Sequence, residues 1–118
     1  MQIAITGRHV AVNDHFRDHV TRRLETATEK FFSSAIDAQA VFAKVAQMIE
    51  TDLTIHVGHG IRFQSHAAAA DMTASFGIAA ERLEKRMRRH KRKLRDHHKS
   101  PRSARAIGET EPSSDSGG

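Results

Sequence analysis

The chemistry on offer in this sequence is mostly that of closely spaced cations. Between Glu81 and Lys99 stand ten Lys or Arg against three Asp or Glu, a local charge of +7. The whole chain of 118 residues carries +5, so everything outside that segment sums to −2. Guanidinium and ammonium groups at this density suit phosphate contacts, and they favour a polyanion through field and counterion release. The bland alternative, a solvated helix end that aids solubility, normally mixes its signs. Arg8 and the basic residues of the first predicted helix, Arg22 and Arg23 among them, extend the surface that such a partner would meet.

Other chemistry has less to rest on. Nine histidines are present. His15 and His19 stand four apart, a helical spacing that can chelate a metal, while His56 and His59 flank a turn and His66 follows it. Spacing supplies neither group with a carboxylate to complete a site, so solvated or RNA-facing histidines are expected, and no metal or other cofactor. There is no Walker loop, no nucleophile elbow and no pair of carboxylates that spacing picks out. The Gly58-His59-Gly60 turn is too short to cradle a phosphate by itself. An enzymatic reading therefore has no residues to carry it, and binding is the expected activity. The chain has no Tyr or Trp, and its six Phe mostly fall at core-facing positions. No aromatic platform for single-stranded bases is expected, so recognition should run through backbone and shape.

These residues need elements to hold them. Gln2 to Thr6 alternates, with Ile3 and Ile5 on one side, and reads as a short strand that Gly7-Arg8-His9 breaks. Asn13 is a good N-cap, and Phe16, Val20, Leu24, Ala27 and Phe31 then recur at steps of three and four, the stripe of an amphipathic helix that ends at Ser33-Ser34. Ala40 to Met48 is β-like, with Val41, Ala43 and Val45 on one face; Glu50-Thr51-Asp52 reads as a turn. Leu53, Ile55 and Val57 alternate with polar residues, Gly58 to Gly60 is a hairpin signal, and Ile61, Phe63, Ser65 and Ala67 return. Asp71 caps a second helix whose stripe is Met72, Phe76, Ala79, Leu83, Met87 and Leu94; Met48, Met72 and Met87 read as core filler.

The predicted order is thus β-α-β-β-β-α: an α/β (α+β) fold, with a four-stranded mixed sheet and two helices packed on one face. Strands one and two, joined through a helix, should be parallel, and the rest a meander. A second helix from Met72 to about His97 would run about 39 Å, against about 25 Å for strands of seven or eight residues, so it should overhang the sheet. From Ser100 the composition turns to Pro, Ser, Gly and Glu, which gives a folded domain over 1–99 and a disordered tail over 100–118. Absence of cysteine suits a reducing compartment, and nothing at the N-terminus resembles a signal peptide or membrane span. A cytoplasmic protein, monomeric when free and without membrane contact, is expected.

Several short segments together carry a resemblance. Met1-Gln2-Ile3-Ala4-Ile5-Thr6-Gly7-Arg8, Leu53-Thr54-Ile55-His56-Val57 with its hairpin, Asp71-Met72 opening a helix, and Arg89-His90-Lys91-Arg92-Lys93-Leu94 stand in the order and spacing of the bacterial ribosome hibernation promoting factors. This family is also known as the sigma-54 modulation or ribosome-associated inhibitor family, and the resemblance covers residues 1 to about 99. It implies a β-α-β-β-β-α domain that binds the small ribosomal subunit and its rRNA, in the channel where mRNA and tRNA sit, and inhibits translation in stationary phase or stress. Some members promote pairing of idle ribosomes. Carried over by position, the rRNA-facing residues would be Arg8, Arg22, Arg23, Arg82, Lys85, Arg86, Arg89, Lys91, Arg92 and Lys93. The sequence departs from the pattern at Thr73, where the family often has Tyr. It also lacks the second domain of the long members and so resembles the short ones. The competing expectations are a general double-stranded nucleic-acid-binding module and a modulator of a transcription factor.

Overall fold

A computed structural model describes residues 1–32 and 35–99, with side chains described through Lys93. The elements follow the order β1 (Gln2–Arg8), α1 (Asp14–Phe31), β2 (Ala35–Val45), β3 (Met48–Val57), β4 (Ile61–Ala69) and α2 (Met72–Lys99). The four strands form one sheet in sequence order, β1 parallel to β2 and the other neighbours antiparallel. The chain divides into two compact units, Met1–Glu84 and Lys85–Gly118.

The first unit holds the sheet, α1 and the first half of α2. Along β3 the odd residues Ile49, Thr51, Leu53, Ile55 and Val57 are buried, and their partners across the ladders, Ala38, Ala40 and Phe42 on β2 and Phe63, Ser65 and Ala67 on β4, are buried with them. That is the face the helices cover. From α1 come Val20, Leu24 and Ala27, from α2 Phe76, Ala79, Ala80 and Leu83. Phe16 on α1 meets Phe42 of the sheet edge-on, with ring centroids 5.4 Å apart. Two packed layers around one apolar interior are what a half-apolar sheet and two striped helices require.

Three buried hydroxyls cross the layer boundary. Ser75 Oγ donates to the Ala67 carbonyl at 3.2 Å, so the contact of 2.7 Å between Thr51 Oγ1 and Ser75 Oγ has Thr51 as its donor. Ser65 Oγ donates to the Ala79 carbonyl at 2.8 Å. Each polar atom finds a partner, and the bonds fix where α2 lies along β3 and β4 in a way apolar contact alone would not.

Helix starts obey the sequence. Asn13 Oδ1 accepts from the Phe16 amide, and Asp71 Oδ1 from the Ala74 amide, both at 2.8 Å. α1 ends at Phe31, with the extended Phe32 as its C-cap. The β3–β4 turn has φ of 67° at His59 and 73° at Gly60, with the Ile61 amide donating to the Gly58 carbonyl; two left-handed residues in succession suit the twist of a hairpin. Gly7 is obligatory for another reason: a Cβ there would lie 2.3 Å from the Val10 carbonyl oxygen, where the chain leaves β1.

Four local expectations need correction. β1 runs on through Gly7 to Arg8, because both pair with β2. β2 begins at Ala35, five residues before its apolar signal, because pairing with β1 and β3 holds Asp37 to Gln39 extended. Glu50-Thr51-Asp52 is not a turn but lies inside β3; the reversal is at Ala46-Gln47, with φ 56° at Ala46. Ladder bonds on both sides override the turn preference of acidic residues here. In consequence Val41, Ala43 and Val45 lie on the face away from the helices, and Met48, opposite Val45, is not core filler but 43% exposed. Met87 is fully buried and Met72 half-buried. The side chain of Leu94 and the predicted tail over 100–118 lie outside the described residues.

Candidate nucleic-acid interface

In the second unit, α2 presents Lys85, Arg86, Arg88, Lys91, Arg92 and Lys93 as exposed side chains, with Arg89 and His90 half-buried and Met87 buried. At 100° per residue, Lys85, Arg86, Arg89, Arg92 and Lys93 fall on one side of the helix, while Met87 lies opposite. Arg88 flanks that stripe, whereas Lys91 lies on the Met87 side of the helix. Five cations spread over nine residues span about 12 Å along the axis, a row with no carboxylate inside it. Arg88 and Arg89 also have interactions within the protein.

The cations of the first unit are placed differently. Arg8 closes β1 and is exposed. Arg22 is exposed but donates to Asp18 Oδ2 at 2.9 Å, one turn back on α1. Arg23 Nε donates to Glu84 Oε2 at 3.0 Å, joining α1 to α2, and the pair is half-withdrawn from solvent, at 33% and 17% exposure. Arg82 is exposed, and its Nη1 donates to the His66 carbonyl at 2.7 Å. That bond ties α2 to β4, which pairs on one side only within the sheet. A guanidinium has five N–H donors, so one bond leaves Arg82 able to take a phosphate. Arg23, by contrast, serves an internal carboxylate.

The histidines hold a feature that spacing did not disclose. On the helix-free face, His66 Nδ1 lies 2.8 Å from Asp52 Oδ1, and His56 Nδ1 lies 3.7 Å from Asp37 Oδ1. Each therefore has a carboxylate beside it. Asp52 faces His66 across the β3–β4 ladder, and Asp37 faces His56 across β2–β3. The first pairing follows from the hairpin turn alone, once 50–52 is recognised as strand. Neither pair has a third ligand: among the described residues no group of three His, Cys, Asp or Glu could hold a metal. His15 and His19 are exposed on α1, and His19 touches two phenylalanine rings.

Comparison with known proteins decides what kind of domain this is. Residues 3–95 match the family model described as Sigma 54 modulation protein / S30EA ribosomal protein. The chain belongs to this family. Its relatives include a ribosome hibernation promotion factor of Rhizobium meliloti (strain 1021), 34% identical over 98 residues, which cover 83% of this chain and 52% of that protein. A ribosome hibernation promoting factor of Escherichia coli (strain K12) is 32% identical over 98 residues, covering 82% of this chain and all of the relative. The chain thus spans about half the length of the rhizobial relatives it matches and the full length of the short ones. Among solved structures, the N-terminal domain of Thermus thermophilus Protein Y superposes with a TM-score of 0.68 at 22% identity, covering 76% of this chain and 99% of that one. That likeness establishes the shared β-α-β-β-β-α fold. Among the described residues, no helix is long and apolar enough to cross a membrane.

Proposed function

We propose that this protein is a ribosome hibernation factor: a cytoplasmic, non-enzymatic inhibitor of translation that binds the small ribosomal subunit through its rRNA, in the channel used by mRNA and tRNA. The observation that carries this reading is the cationic row on α2, the exposed Lys85, Arg86, Arg92 and Lys93 with the half-buried Arg89, in a domain whose relatives bear the name ribosome hibernation promoting factor. Lys91, Arg82, Arg8 and the α1 residues Arg22 and Arg23 complete the proposed contact set.

The mechanism is occupancy. Arginine forks and lysine ammonium groups bind phosphate oxygens, and each contact releases condensed counterions. A rigid helix presents its cations at fixed spacing, which favours folded RNA of matching shape over random coil. A domain held in the channel denies it to mRNA and tRNA without breaking a bond. Residues 1–99 are proposed to do this work, and the free protein is proposed to be a monomer.

Sedimentation tests the reading. In gradients of a stationary-phase lysate the protein should travel with small subunits and whole ribosomes, and purified protein should inhibit translation in a cell-free system. Protein that stays at the top of the gradient at low salt would overturn it. Equal binding to ribosomes and to arbitrary duplex RNA or DNA would favour a general nucleic-acid-binding module.

A further inference from the structure

α1 bears a stripe beside its core face that differs from the rest of its surface. With His19 as centre, the residues within about 60° around the helix are His15, Arg22, Arg23, Thr26, Lys30 and the half-buried Phe16. No carboxylate of α1 falls in that arc; Asp14, Asp18, Glu25 and Glu29 all lie to one side of it. Within the stripe His19 is exposed yet held. Its ring centroid is 5.8 Å from that of Phe16 at an interplanar angle of 39°, and 5.6 Å from that of Phe76 at 74°. Phe16 and Phe76 are themselves 6.0 Å apart, and both meet Phe42 of the core. The imidazole is thus the solvent-facing member of a four-ring cluster anchored in the interior.

We propose that His19 is a stacking platform for one nucleobase of the bound RNA, with the exposed Arg22 one turn along taking an adjacent phosphate. The inference rests on the ribosome-binding reading and adds a base contact to it. Three observations favour RNA over a protein partner. Apart from Arg23, which Glu84 engages, the arc offers the exposed Arg22 and Lys30 and no α1 carboxylate, which matches a phosphate backbone. The exposed aromatic surface is a single ring rather than an apolar patch, which fits one base. The ring is fixed by its neighbours, so stacking on it costs little further ordering. The Arg22–Asp18 bridge is exposed and therefore weak, and a phosphate can displace it. The sequence offers no Tyr or Trp for this role.

The test measures binding to purified small ribosomal subunits for the full chain and for His19→Ala, His19→Phe and His19→Lys. Loss of one base stack should weaken His19→Ala about tenfold, whereas His19→Phe, which keeps a ring, should stay within about twofold of the parent. His19→Lys should remain as weak as His19→Ala. The salt slope of His19→Ala should equal the parent's, because stacking releases no counterion, while Arg22→Gln should lower the slope by about one contact. Parental affinity in His19→Ala overturns the proposal. So does rescue by Lys but not Phe, which would make His19 a phosphate contact. A parent chain that does not bind subunits overturns the ribosome-binding reading itself and this inference with it.

Discussion

α1 and the distal half of α2 are both rich in cations, and they use them differently. α1 carries Arg17, Arg22, Arg23 and Lys30 against Asp14, Asp18, Glu25 and Glu29, an even balance. Its arginines are largely engaged: Arg17 with the Ile5 and Val12 carbonyls, Arg22 with Asp18, Arg23 with Glu84. From Lys85 to Lys93 there are seven Lys or Arg and no carboxylate. The difference teaches that basic residues alone do not mark an interface. An excess of one sign along a helix, with no carboxylate in the same stretch, is what gains most on meeting a polyanion.

The comparison presumes an intact frame, and the largest effects come from breaking it. Leu24 and Leu83 are almost fully buried, one from each helix. Leu24→Ala and Leu83→Ala should each cost about 2–5 kcal/mol of stability, read from thermal or urea melts. An unchanged melt in either variant would mean that its helix does not pack as described.

Next comes the cationic row. Replacing the exposed Lys85, Arg86 and Arg92 together by Glu should weaken binding to small subunits by about a hundredfold or more while leaving the melting temperature near that of the parent. Normal subunit binding by the folded triple variant would erase the distinction between the two helices. A related measurement needs no mutation. With about five phosphate contacts and a slope near −0.7 per contact, a fourfold rise in salt should lower affinity about a hundredfold. The triple variant should show a shallower slope; a salt-insensitive parent would point to an apolar or protein partner.

The smallest effect sharpens the contrast from the α1 side. Arg23→Gln removes the partner of Glu84 and should lower stability by about 1 kcal/mol or less, since the pair is only partly withdrawn from solvent. Its effect on subunit binding should be smaller than that of Arg86→Gln. The reverse order, read in one titration series, would show that Arg23 leaves Glu84 to bind RNA.

Much of the fold and of the candidate site can be read from particular residues. Asn13 and Asp71 announce the helix starts, and both bind the expected amides. The steps of three and four through Val20, Leu24 and Ala27, and through Phe76, Ala79 and Leu83, mark faces that are buried. The β3–β4 turn follows from Gly58-His59-Gly60. Errors cluster where a strand is held by its neighbours more than by its own composition: Ala35 to Gln39, and Glu50 to Asp52. The cationic row is legible because helical spacing alone puts its members on one side. The His66–Asp52 pair follows from the hairpin register once Asp52 is placed in a strand, which its turn-favouring residue type obscures. His56–Asp37 depends on a reversal at Ala46-Gln47 that carries no Gly, Pro, Asn or Asp to betray it.

The sequence by itself determined the periodic quantities: the apolar stripes, the caps, the order of elements and the local charge of +7. Each depends on residues a few positions apart, where backbone geometry is already fixed by the element. Tertiary structure decided which cations are compensated. Arg23 and Glu84 stand 61 positions apart, and Arg82 finds its acceptor on a strand edge 16 positions away. It also decided that His19 rests on Phe16 and Phe76, one ring from its own helix and one from the other. Such contacts follow from how two helices settle on one sheet, which depends on side-chain volumes and on buried hydroxyls such as Ser65 and Ser75 all at once. No local pattern encodes that sum, and for that reason the sequence could name the charged residues but not say which of them remain free.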